Sequence, residues 1–355
     1  MNSNKYCVII AGGLGSSFWP ITNKKMPKQF LDLLGCGKTF VRQAYERIIQ
    51  KFDINNIFLI TNKEYVDIVL EQIPELCHDN ILLEPLARNT AASIAYASFK
   101  INEITPDAII SFIPSGNYIT NDNAYLNDIE TCIEFAKEND GLITIGITPT
   151  RAETNYGYIQ IKDNINTAEG ILKVKTFTEK PNIELATAFY ESKEFLWNSS
   201  IIVCQVNTIL NEYKEYMPLL YNLLNQSGEL NTEHESAFIS GVYENIHNIS
   251  ISTGIMEHSS KVYVMRSTFG WSALSSWKAF YSKSEKDENL NVISKGNAYF
   301  SEAHNCIVKT SPDKNIVIQG IDNIIVAENG QFILICNRKD ENKIKNFEKI
   351  FRLKD

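Results

Sequence analysis

A short apolar run at residues 6–11 leads directly into Gly12-Gly13-Leu14-Gly15-Ser16-Ser17, then Phe18-Trp19-Pro20 and, further on, Pro27-Lys28-Gln29-Phe30. Glycines permit a turn tight enough to aim successive backbone N–H groups at one anion, and a lysine within reach adds a point charge suited to a phosphate. A triphosphate fits such a cradle, although Gly-Gly-x-Gly alone serves equally well as a plain strand-to-helix turn. Gly35-Cys36-Gly37-Lys38-Thr39 looks similar, but a Walker loop needs a glycine where this chain has Asp32, so a turn before a helix is expected there.

Four further segments carry polar groups in suggestive order. Glu84-Pro85-Leu86-Ala87-Arg88-Asn89-Thr90-Ala91 precedes a helical pattern, with Asn89 or Thr90 placed to cap it and Arg88 beside its positive end. Downstream come Glu153-Thr154-Asn155-Tyr156-Gly157-Tyr158-Ile159, Phe177-Thr178-Glu179-Lys180-Pro181 and Trp197-Asn198-Ser199-Ser200. In isolation each has a bland counterpart: a capped helix with a surface arginine, a turn, an exposed charge pair.

The elements that must hold these groups are visible as a pattern. Apolar runs bounded by turn signals recur at 6–11, 57–61, 109–114, 142–147 and 201–206, and helix-like stretches lie at 40–52, 63–70, 90–104 and 124–138. Strands alternating with amphipathic helices predict an open, Rossmann-like, doubly wound α/β fold with a largely parallel sheet. Ligands of such sheets bind beyond the carboxyl ends of the strands, where several of these motifs fall. From about Lys283 the pattern changes to short β-rich pieces at 305–309, 315–319, 323–327 and 332–336, and then a charged helix at 340–351. Two domains are expected, residues 1–285 and a small β-rich appendage with a terminal helix at 286–355.

Taken together and in this order, the motifs resemble the mannose-1-phosphate guanylyltransferase family of sugar-phosphate nucleotidyltransferases, of which this chain looks like a divergent member. The Phe-Trp-Pro and Pro-Lys-Gln-Phe portions point to that branch, and the later segments are similar to the family's E-P-x-x-R-N-T-A, E-T-G-Y-G-Y-I, E-K-P and W-N-S-G motifs. The resemblance implies a GT-A-like nucleotidyltransferase fold and a reaction of GTP with mannose 1-phosphate that yields GDP-mannose and diphosphate. It assigns Gly12, Gly13, Gly15, Glu84, Arg88 and Asn89 to the nucleotide, with Lys28 contacting phosphate. It assigns Gly157, Glu179, Lys180 and Asn198 to the sugar phosphate.

The resemblance also implies Mg²⁺ held on carboxylates and an arginine in the first loop, and here the pattern breaks. Ser17 replaces the loop arginine; Pro114-Ser115-Gly116-Asn117 stands where Pro-Ser-Asp-His is expected; Ala273 takes the second metal aspartate's position; and Ser250-Ile251-Ser252-Thr253 replaces S-I-D-Y. The protein ligands for Mg²⁺ are therefore missing, with Gly116 and Ala273 at the expected positions. Asp107, Asp122 and Glu257 are the acids left to substitute. A retained framework with lost charges predicts weakened or absent turnover, and the alternative is an inactive nucleotide-sugar-binding or regulatory paralogue, as a homodimer or paired with an active homologue.

Bulk properties bound the rest. A net charge of −8 and a pI near 5.3 argue against wholesale nucleic-acid binding. Seven scattered cysteines form no C-x-x-C pair and predict free thiols in a reducing compartment. With no apolar stretch of membrane-spanning length, a cytoplasmic protein is expected. A nicotinamide-dependent oxidoreductase shares the fold class, but Phe18 stands where a third glycine is needed and no acid ends the second strand at Ile60-Thr61-Asn62.

Overall fold

The structure is a computed structural model and describes residues 4–166, 170–226 and 228–352. The chain divides into two compact units, each assembled from separate stretches. The first comprises Met1–Gly12, Ala44–Ser115 and Ile119–Trp271, and the second Gly13–Gln43, Gly116–Tyr118 and Ser272–Asp355.

The division is thus not the simple 1–285 and 286–355 expected from the pattern. The glycine loop and the residues after it leave the first unit because their aromatic side chains pack elsewhere. Phe18, Trp19 and Phe40 join Trp277, Phe280, Leu274 and Leu334 in one hydrophobic core.

The first unit is built on a sheet that is nine-stranded among the described residues. In chain order its strands are β1 (Lys5–Ile10), β2 (Ile57–Asn62), β3 (Ile81–Glu84), β4 (Ile109–Pro114), then, beyond the two-residue β5 (Tyr118–Ile119), β6 (Leu142–Ile147), β7 (Tyr158–Asn166), β8 (Ile171–Thr178), β9 (Phe195–Gln205) and β10 (Val262–Ser267). Their spatial order is β3-β2-β1-β4-β9-β6-β10-β8-β7. β1, β2 and β6 are almost wholly buried, which accounts for apolar runs without polar alternation.

The expectation of a largely parallel sheet needs correction. β1 to β4 pair in parallel, as do β6 and β10, but β9 runs antiparallel to both β4 and β6, and β7 and β8 form an antiparallel pair beside β10. The sheet is mixed, and its antiparallel part positions the motifs that contain Gly157, just before β7, Glu179, just after β8, and Asn198, within β9.

Helix α1 is Phe40–Ile48 and α2 is Val66–Gln72. α3 (Asn89–Ile104) is buried along most of its length, so its residues are apolar or small on nearly every face. α4 (Asp122–Glu138) opens on Asn121, whose side chain accepts from the Ala124 N–H. Further along come α5 (Ile183–Ser192), α6 (Val206–Tyr216), α7 (Pro218–Asn225) and α8 (Glu235–Glu244), with α3 packing on α6 and α7.

In the second unit, after the two-residue β11 (Trp271–Ser272) and α9 (Trp277–Lys283), short strands stack in parallel rungs. β12 (Val292–Lys295), β14 (Ile307–Lys309) and β16 (Ile324–Asn329) form one wall, closed by antiparallel β17 (Phe332–Asn337). β13 (Asn297–Ser301) and β15 (Asn315–Gln319) form another, and α10 (Ile344–Arg352) ends the described chain. Gly35-Cys36-Gly37 is a turn, as its sequence suggests. The Asp32 carboxylate accepts the N–H groups of Gly35, Cys36 and Gly37 at 2.8, 3.0 and 2.7 Å, so the place a phosphate would take in a Walker loop is filled by the chain's own acid.

Candidate functional site

In the first unit, β3 ends on Glu84, whose side chain is buried at 5% exposure. One carboxylate oxygen accepts from Ser93 Oγ at 2.8 Å and Tyr243 Oη at 2.9 Å, and the other faces Gly12, where an added Cβ would stand 3.2 Å away. Burial raises the Glu84 pKa above its ordinary value, against the lowering effect of the two hydroxyl donors. Gly12 and Glu84 are thus brought together, and a nucleotide group donating hydrogen would find a preorganised acceptor.

Arg88 immediately precedes α3, beside the helix's positive end as expected, and its side chain is committed to a backbone partner. Its Nε donates to the Tyr243 carbonyl at 2.8 Å, tying the start of α3 to the end of α8. Asn89 has φ 68, a left-handed conformation that asparagine tolerates, and its Oδ1 accepts from the Thr90 N–H at 2.9 Å. Neither Asn89 nor Thr90 caps α3 as expected: the N-cap position is Arg88, with no side-chain cap bond, and Thr90 Oγ1 instead accepts from the Ile251 N–H at 3.0 Å.

Gly157, Glu179 and Asn198 also converge. A Cβ on Gly157 would lie 2.8 Å from Glu179 Oε2 and 3.4 Å from the Asn198 Cβ, so only glycine leaves the carboxylate where it is. Asn198 is buried, its Oδ1 accepting from Thr144 Oγ1 and the Ser200 N–H at 3.0 Å each. Ser200, standing where the family has glycine, keeps φ 62, and the bond to Asn198 helps hold that left-handed turn. Asn155 holds its own turn by donating from its backbone N–H and Nδ2 to Glu153 Oε1 at 3.2 and 2.9 Å. Lys180 Nζ pairs with Glu179 Oε1 at 2.7 Å, and the Glu179 N–H is accepted by Glu257 Oε1 at 3.0 Å.

The second unit holds the rest. Gly15 has φ 69, and a Cβ there would come 2.5 Å from the Lys28 Cβ, so this glycine clamps the lysine stem. Gly13 is exposed with open space beside it. The Lys28 ammonium is aimed inward: Nζ donates to the carbonyls of Ala273, Gly116 and Leu274 at 2.7, 2.9 and 3.4 Å. Burial lowers its pKa to about 8. The phosphate contact expected of Lys28 therefore competes with three main-chain acceptors.

The two positions where the resemblance puts metal aspartates, Gly116 and Ala273, do meet, but around an ammonium. Neither supplies a carboxylate, and among the described residues no group of three or more His, Cys, Asp or Glu could hold a metal ion. The substitute acids are occupied elsewhere: Asp122 pairs with Arg47 at 2.6 Å, Glu257 binds the Glu179 N–H, and Asp107 precedes β4 rather than following it. Ser17 lies in a single 3-10 turn, Ser16–Phe18, and Ser252 is buried at the start of a π turn, Ser252–Met256. At Gly116 and Ala273 the chain therefore presents main-chain carbonyls and no carboxylate.

Sequence reasoning missed Ser93 and Tyr243, the partners of Glu84, and Leu274, whose φ of 41 accompanies the convergence of two consecutive carbonyls on Lys28. Nothing in their local sequence marks them.

Residues 6–289 match the family model described as Nucleotidyl transferase. A mannose-1-phosphate guanylyltransferase of Klebsiella pneumoniae is 30% identical over 95% of this chain and 72% of its own. This chain belongs to the mannose-1-phosphate guanylyltransferase family of nucleotidyl transferases. The alginate biosynthesis protein AlgA of Pseudomonas aeruginosa is also 30% identical, over 96% of this chain and 71% of its own. The crystal structure of a protein named as a mannose-1-phosphate geranyltransferase, from Thermus thermophilus, superposes with a TM-score of 0.86 at 23% identity, covering 99% of this chain and 100% of the other. The family's α/β nucleotidyltransferase fold is therefore the fold of this member. Its described cysteines are free thiols, and no described helix is long and apolar enough to cross a membrane.

Proposed function

We propose that this protein catalyses the reaction named for its relatives, in which a phosphate oxygen of mannose 1-phosphate attacks the α-phosphorus of GTP, diphosphate leaves and GDP-mannose forms. The observation that carries this reading is identity of 30% across nearly the whole chain to members of that family, with the sugar-phosphate motifs Gly157, Glu179 and Asn198 gathered in one place.

Each group has a definable task. Glu179, held in place by Gly157 and Lys180, offers acceptors to sugar hydroxyls, and Lys180 offers its charge to the sugar phosphate. Gly12, Gly13, Gly15, Arg88 and Asn89 belong to the nucleotide, for which Glu84 provides a buried acceptor. Lys28 supplies the positive charge that a departing diphosphate requires. Without carboxylates to hold a metal, the charge stabilisation normally available to phosphoryl chemistry is reduced, and turnover is expected to be orders of magnitude slower than in a metal-bearing site. Soluble substrates suit a cytoplasmic setting.

A second reading, retention of the nucleotide sugar without turnover, alone or paired with an active homologue, is favoured by one observation: Ser17, Gly116, Ser252 and Ala273 all replace charged positions. Incubation with GTP, mannose 1-phosphate and Mg²⁺, followed by diphosphate release, separates the two. Release above the protein-free control supports transfer. No release, with GDP-mannose still raising the melting temperature, supports retention.

A further inference from the structure

The second unit holds a cavity of about 530 Å³ that the proposed reaction does not use, bordered by α9, the corners before β14 and β16, and the segment after β17. The rungs build it. Ile307 and Ile325 pair in register, so Asn305 and Asn323 take equivalent corners two residues earlier, both left-handed at φ 56 and 58. Their carbonyls anchor Arg338: Asn305 accepts from Nη1 and Asn323 from the backbone N–H, each at 2.8 Å. The Arg338 guanidinium carbon stands 3.6 Å from the centroid of the Tyr281 ring, and the Tyr281 hydroxyl is itself fixed by donating to the Leu290 carbonyl at 2.8 Å. With Nη1 spent, the Nε and Nη2 edge of this preorganised guanidinium has no partner among the described residues. That edge is a fork for two oxygens of one anion.

Lys278 and Lys339 line the same cavity, both exposed, and neither forms an ion pair among the described residues. The neighbouring acid Asp340 is paired with Lys343 at 2.7 Å. Glu341, the one acid of the lining, accepts the Lys278 backbone N–H at 2.7 Å. Three cations therefore share the cavity with one committed carboxylate, in a chain whose net charge is −8. Trp277 adds an independent sign. Its side chain lines the cavity and is buried, yet its indole N–H has no hydrogen-bond partner among the described residues, and a bound acceptor would satisfy it.

We propose that this cavity binds a small phosphate-bearing molecule, through residues none of which belongs to the nucleotide-sugar set. The Arg338 fork takes two phosphate oxygens, and Lys278 and Lys339 balance the remaining charge. The volume falls within the range of about 300–1,000 Å³ usual for small-ligand pockets, which leaves room for the rest of an ester.

The test follows the indole N–H resonances of the four tryptophans in isotope-labelled protein, with the Trp277 signal assigned from Trp277→Phe. Inorganic phosphate and adenosine monophosphate are titrated at constant ionic strength, with chloride as the control. Saturable movement of the Trp277 resonance by phosphate, and not by chloride, is the expected result. Tighter saturation by the nucleotide identifies an ester as the occupant, and equal saturation identifies phosphate itself. Arg338→Gln is expected to raise the half-saturating concentration by about tenfold or more, the scale of a charge-assisted hydrogen bond. Lys339→Gln, whose side chain makes no bond among the described residues, should raise it by about threefold and guards against a misfolded Arg338→Gln. A shift produced equally by chloride, or unchanged in both variants, overturns the proposal. Movement confined to Trp197 and Trp271, which flank Tyr156 beside the sugar-phosphate motifs, also overturns it and leaves the proposed function intact.

Discussion

Lys28 and Gly116 meet: the lysine ammonium, 2.9 Å from the Gly116 carbonyl, lies where a side chain at 116 would begin, and this movable end of the lysine would have to shift to admit one. The relationship explains why the chain can lack a side chain at this position without leaving a void, while the fixed end of the lysine is held by Gly15.

Gly15→Ala should be costly. The new methyl would meet the Lys28 Cβ at 2.5 Å, and φ 69 is a conformation that costs a non-glycine residue about 1–2 kcal/mol. With the overpacking added, a loss of about 2–4 kcal/mol is expected from urea unfolding. An unchanged midpoint would show that the loop does not pack as described.

Glu84→Gln should stabilise the protein, and the gain should depend on pH. Burial raises the Glu84 pKa, so the folded state holds the proton more tightly than the unfolded state. Stability is then lost as pH rises from the ordinary carboxylate value through the raised one, and the loss is complete above it. Glutamine keeps an acceptor for Ser93 and Tyr243 without the charge. The variant should melt higher than wild type at pH 7 to 8, with the difference shrinking as pH falls towards the ordinary glutamate value of about 4–4.5 and gone below it. A constant difference across that range would contradict the assignment.

Lys28 predicts the opposite slope. Its pKa is lowered to about 8 from 10.5, so between those values the unfolded chain binds the proton that the folded one has released. Its contribution therefore rises with pH across this window and is flat below it. GDP-mannose affinity should fall over the same range as the ammonium is lost. Subtracting a Lys28→Met profile from the wild-type profile isolates both effects, and matching profiles would remove Lys28 from the site.

Gly157→Ala would place a methyl 2.8 Å from Glu179 Oε2 and push the carboxylate from its position beside Asn198. Affinity for mannose 1-phosphate is expected to drop about tenfold while GTP affinity is kept, the scale of one lost hydrogen bond to a charged group. Equal losses for both ligands would point to general damage.

The motifs themselves were legible because they depend on local requirements: Gly12 and Gly15 on the close approach of a side chain, Glu179-Lys180 on adjacency. Strand direction was not. β9 enters antiparallel between β4 and β6, yet its apolar residues look like those of any buried strand, and only 201–206 stood out because Trp197-Asn198-Ser199-Ser200 resembles a loop. The partners of Lys28 were equally hidden, since they are main-chain oxygens 88, 245 and 246 residues away. A carbonyl leaves no mark in residue type. The lost aspartates and their replacements, Gly116 and Ala273, could be read from the sequence; the bonds from Lys28 to their carbonyls could not.

The most direct test of the proposed activity is to incubate the purified protein with GTP and mannose 1-phosphate in magnesium and follow GDP-mannose and diphosphate together. The expected result is slow formation of both in equal amounts, dependent on Lys28 and Glu179. No GDP-mannose above the protein-free control, after incubation long enough to detect a rate orders of magnitude below an ordinary enzyme's, would contradict it.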